Sequence, residues 1–165
     1  MKHDVTPPQN PLGRLESILL WTMRAWVVGI VERIPVEEQI CDAFRQIGAP
    51  GGTAQLYEFM WLLSQGAHRT INVDCVCRPQ VTEDERRLLD IVALSQRGRS
   101  FEALMLLRAM LTPPVAAAAA ESAGRFAETL KTEGLMLPAP ALGTERYLLV
   151  SEAAERRVAG SRMLH

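Results

Sequence analysis

The sequence predicts a mainly α, compact bundle of about six helices with one short extended segment at residues 70–78. Three observations predict it. Apolar residues recur at helical spacing in six stretches punctuated by Gly or Pro. One stretch alone, 70–78, switches to a period of two. Hydrophobic residues make up 48% and charged residues 22%, with a net charge of -1, which excludes a disordered chain and an arginine-rich or acidic tail.

The elements follow in order. Residues 1–11 carry Pro7, Pro8 and Pro11 and read as a disordered leader. A first helix is expected over 12–33. One of its faces holds Leu12, Leu15, Ile18, Leu19, Trp26 and Ile30; the other holds Leu20, Trp21, Val27, Val28 and Val31. A helix apolar on both faces is a central helix or a subunit interface. Pro35 opens a second helix with a stripe of Val36, Ile40, Ala43, Phe44 and Ile47, closed by Gly48. Thr53 is the expected N-cap of a third, with Leu56, Phe59, Met60 and Leu63 on its core face and Gly66 as its stop.

In 70–78, Ile71, Val73, Cys75 and Cys77 alternate with Asn72, Asp74 and Val76. A lone strand leaves backbone groups unpaired, so this one is expected to pair with residues 147–150 or across a dimer. Thr82 and Glu85 have capping-box spacing and open the fourth helix, with Leu88, Ile91, Val92 and Ser95 inward and Gly98 as terminator. Ser100 is the expected cap of a fifth helix reaching about Leu111. Thr112-Pro113-Pro114 separates it from a sixth over 115–133, whose alanines at 116–120 permit close helix approach. Residues 135–165 read as a Pro-containing linker, a short extended segment and a helix near 151–159. Six of the nine aromatics fall in the first three helices, so one domain, 12–134, is expected to consist of two packed subdomains, 12–66 and 82–134.

Ala93, Gly98, Glu102, Ala103, Leu107 and Pro113 resemble one helical hairpin of the tetratricopeptide type. The pattern spans about 25 residues and occurs once, whereas such arrays need three or more copies to bury their faces. An ordinary antiparallel helix pair is the expectation.

Cys75-Val76-Cys77 is the most site-like motif. On a strand both sulfurs face one way, and with His68 they would offer three soft ligands to zinc or copper; redox chemistry is a further reading. Free cysteine also packs as a small hydrophobe, and the flanking Ile71 and Val73 favour that core reading. Arg24 lies among Leu20, Trp21, Val27 and Val28, so its charge needs an acid from another helix, such as Glu58, or from another chain. Trp21, Arg24, Val28 and Val31, with Trp61 on the polar side of the third helix, are the candidate interface residues of a homodimer.

The second and third helices imitate a helix-turn-helix, but residues 53–65 contain no Lys or Arg, so nucleic acid is not an expected partner. No Ser/His/Asp set, HExxH or phosphate loop occurs. The most apolar stretch, 18–34, contains Arg24, Glu32 and Arg33 and does not read as a membrane span. Residues 1–10 lack the apolar run of a secretory signal, which with three cysteines points to a reducing cytoplasm. The expected function is a non-catalytic helical protein-interaction or regulatory module. A metal- or ligand-binding protein using His68, Cys75 and Cys77 is the alternative, and a helix-turn-helix regulator the second.

Overall fold

A computed structural model describes residues 12–140. Six helices follow one another: α1 (Arg14–Glu32), α2 (Glu37–Gln46), α3 (Gly52–Gly66), α4 (Glu83–Gln96), α5 (Ser100–Arg108) and α6 (Pro113–Thr132). The mainly helical bundle predicted from periodicity is what the chain forms. Residues 1–11, 147–150 and 151–159 lie outside the described residues, and with them the leader, the expected strand partner and the last helix.

Helix ends follow local chemistry, with instructive departures. Glu16 Oε2 accepts from the Gly13 N–H at 2.8 Å and so caps α1, which ends at Arg33 with φ 55°. Thr53 does not cap α3. The helix already begins at Gly52, and the Thr53 hydroxyl is buried without a partner among the described residues. Glycine is required there because a Cβ on Gly52 would stand 2.4 Å from the Phe44 ring. Ser100 is likewise inside α5 rather than its cap, and α5 stops at Arg108, short of Leu111. Helix α6 starts at Pro113 rather than 115, since prolines at the first positions lack an N–H that would have no intrahelical partner there.

Helix α6 packs most extensively along α3 and also covers α4 and α5. Its stripe of Ala116, Ala119, Ala123 and Ala127 is buried, which brings the backbones close, and Phe126 meets Phe44 edge-on at 6.0 Å. One continuous core therefore includes side chains from both halves of the sequence. Helices α4, α5 and α6 pack on one another and α6 on α3, so among the described helices α1 is met by α2, α3 and α4 but not by α5 or α6. Leu19, Leu20, Met23 and Trp26 are buried, whereas Ile30 is 58% and Val31 68% exposed. The all-round burial expected of this helix does not hold at its C-terminal end.

The chain leaving α3 makes one antiparallel bridge, Ala67 with Leu111, with His68 N–H on Met110 O at 3.0 Å and Thr112 N–H on Gly66 O at 2.9 Å. Residues 70–75 then run without a bend but join no β-ladder among the described residues. The period-two segment predicted over 70–78 thus holds only to residue 75, where a turn at 76–77 interrupts it, and it is not a sheet strand.

A Cβ at Gly66 would lie 2.3 Å from Cγ1 of Val115, a side chain stiff at χ1. Gly66→Ala should therefore separate α3 from the start of α6 and cost about 1–3 kcal/mol in urea denaturation.

Candidate functional site

The extended segment is held by carboxylates instead of a strand. Glu85, at the third position of α4, accepts four bonds: Arg24 Nε at 2.7 Å, Arg24 Nη2 at 2.8 Å, the Thr82 N–H at 2.8 Å and the Asp74 N–H at 2.9 Å. Thr82 completes the predicted capping box by accepting from the Glu85 N–H, and its hydroxyl donates to Asn72 O at 2.5 Å. Arg24 donates further to Arg78 O and Gln80 O, both at 2.6 Å. Neighbouring Asp84 accepts from Arg69 Nη1 and Nη2, from the Asn72 N–H and from Arg87 Nη1. The acid that neutralises Arg24 thus comes from another helix, but it is Glu85. Glu58 is on the surface with Arg125.

Burial raises the proton affinity of both carboxylates, but the opposing Arg24 and Arg69 pairs prevail and hold Glu85 and Asp84 below the ordinary range. Asp90, one turn further along α4, is buried beside the Arg86–Glu16 pair with no ion pair of its own among the described residues. Desolvation pushes it up to about 6, partly offset by Arg86 and reinforced by Glu16.

Between α1, α3 and the extended segment lies an apolar groove of about 290 Å³. Trp26, Ile30 and Val31 form one wall, Met60 and Leu63 another, and Ile71 and Val73 the third. Alternate residues of an extended chain direct their backbone groups to opposite edges. Asn72 and Asp74 turn theirs to α4, while Ile71 and Val73 make no backbone hydrogen bond among the described residues. Of the sequence-predicted interface residues, Val31 lines this groove. Trp21 and Trp61 are exposed outside its lining, Val28 is half-buried, and Arg24 is enclosed in the clasp.

The cysteines are not core residues. Cys75 is half-buried and Cys77 exposed, because the chain turns at 76–77, where Arg78 N–H bonds Cys75 O at 3.2 Å. The neighbouring Cys77 thiol and the turn N–H groups lower the Cys75 thiol, against burial and the Asp74 charge, and Cys77 is raised. His68 is exposed, near Arg108 O, and among the described residues no three His, Cys, Asp or Glu side chains gather as a metal site. The structure brings Cys75 and Cys77 together but does not add His68.

No protein-family model, curated protein or solved structure matches this chain. Among the described residues no helix is long and apolar enough to cross a membrane. Sequence reading missed the groove, since Thr70, Ile71 and Val73 meet α1 and α3 only in three dimensions. It also missed Asp84 as an anchor, although an acidic pair inside a capping box was the available signal.

Two predictions follow from the charges. Arg24→Met should cost about 3–5 kcal/mol by leaving Glu85 buried and unpaired, and the double variant with Glu85→Leu should recover part of it; a denaturation cycle measures the coupling. The native state binds the Asp90 proton more tightly than the unfolded chain does, so this group's contribution to stability falls as pH rises from about 4 to about 6. Asp90→Asn should be about 1–3 kcal/mol more stable than wild type at pH 7, a gain that vanishes below about pH 4. Asp84 and Glu85 act oppositely: their contribution is complete above the ordinary carboxylate range and is lost as pH falls through their lowered values.

Proposed function

We propose that the protein is a non-catalytic helical interaction module that self-associates through the groove between α1, α3 and residues 70–75. One observation carries the reading: the apolar groove is bordered by a backbone edge, at Ile71 and Val73, without hydrogen-bond partners among the described residues. Such an edge is a template for another extended segment. A second copy fits it best. A twofold axis would pair the edge antiparallel with its own equivalent, so one patch supplies both donors and acceptors. The same axis would cover Ile30 and Val31, exposed far beyond what their neighbours in the core show.

The three cysteines are unpaired, which supports residence in a reducing cytoplasm. Helix α3, the would-be recognition helix of a DNA-binding reading, carries Glu58 and no Lys or Arg, and this favours a protein partner over nucleic acid.

Light scattering should show a dimer that dissociates on dilution. Val31→Asp should shift it to monomer at the same concentration with an unchanged far-ultraviolet circular dichroism spectrum. A wild-type monomer at high concentration, or a folded Val31→Asp protein that dimerises as wild type does, would refute the proposal.

A further inference from the structure

The turn that follows the groove carries chemistry the interaction role does not use. We infer that Cys75 and Cys77 form a thiol–disulfide exchange site, which reacts with small-molecule disulfides of the glutathione type. Three features support the assignment. Both thiols are free and reachable, with Cys77 exposed and Cys75 half-buried. They are two residues apart in a hydrogen-bonded turn, so their Cα atoms lie within the ~7 Å reach of two residues and closer than an extended chain would hold them. Disulfides bridge Cα separations of ~4.4–6.8 Å. Third, the neighbouring Cys77 thiol and the turn N–H groups lower the Cys75 thiol while Cys77 is raised, which suits Cys75 as the thiolate.

The roles follow from this asymmetry. The Cys75 thiolate attacks one sulfur of the small-molecule disulfide. That S–S bond breaks, one thiolate leaves and takes up a proton, and Cys75 carries a mixed disulfide. Cys77 then gives its proton to solvent, and its sulfur attacks the Cys75 sulfur, expelling the second thiolate. Two electrons pass from the protein dithiol to the small disulfide, yielding one intra-turn disulfide and two small thiols. Among the described residues Asp74 is the acid that opposes the Cys75 thiolate, the Arg24 guanidinium interacts with it favourably, and Arg78 is the cation beside Cys77. Cys41, on α2, takes no part.

The test uses the full reduced chain in buffers of graded reduced-to-oxidised glutathione ratio, quenched by alkylation and mapped by mass spectrometry. The expected product has lost two hydrogens at the Cys75–Cys77 peptide, while Cys41 remains alkylated. Cys77→Ser, at an exposed position, should trap glutathione on Cys75, and Cys75→Ser should react several-fold more slowly at Cys77. The pH midpoint for Cys75 alkylation should be lower in the folded protein than in denaturant. A bridge to Cys41 or between chains overturns the inference, as does a dithiol that stays reduced or carries two separate adducts at every ratio. A folded midpoint at or above the denatured one overturns Cys75 as the attacking thiol.

Discussion

The buried pair of Arg24 and Glu85 is the constraint on which the rest of this structure depends. Both side chains are almost wholly removed from water. Moving two such charges inside costs several kcal/mol per ion, and attraction alone need not offset it. Here the desolvation is countered by saturation. Glu85 accepts four hydrogen bonds, and Arg24 gives two further donors to backbone carbonyls. Every bond is charge-assisted, the stronger kind. The pair ties the middle of α1 to the first turn of α4 and fixes the chain between them at Asp74, Arg78 and Gln80.

Asp84 extends the same device. Two successive carboxylates at the α4 N-terminus bind alternate backbone N–H groups of the extended segment, at Asn72 and Asp74; Glu85 also holds Arg24, and Asp84 holds both Arg69 and Arg87. They do the work a neighbouring strand would do on that edge. Ile71 and Val73, which line the apolar groove, make no backbone hydrogen bond among the described residues. The turn that holds Cys75 and Cys77 ends where Arg24 grips the Arg78 carbonyl. The groove and the dithiol turn thus owe their positions to one electrostatic clasp. A related exchange recurs where Glu16 caps α1 and receives Arg86 from α4.

How much of this was legible residue by residue is uneven. The Thr82–Glu85 box was legible because it is a contact between residues three apart. The same reading accounts for only part of Glu85, whose carboxylate also serves Asp74 and Arg24, 61 residues away. Arg24 was legible as a charge without a partner on its own helix, but its choice of Glu85 over Glu58 depends on how α1 crosses α4. The alternation at 70–78 showed an extended chain, and nothing in that pattern distinguishes a strand partner from a row of carboxylates. Alternation also pointed both cysteines inward, which fails because the turn at 76–77 reorients Cys77.

The sequence by itself determined the six helices, their glycine and proline boundaries to within a few residues, and the one extended interruption. These rest on interactions within a turn or two of chain: apolar spacing, first-turn acids and positive-φ glycines. Only the tertiary structure decided which part of α1 is covered, which acid meets Arg24, and where the apolar surface opens into a groove. Those outcomes depend on contacts between residues dozens of positions apart, whose geometry exists only once α6 has packed on α3, α4 and α5 and α1 has met α2, α3 and α4.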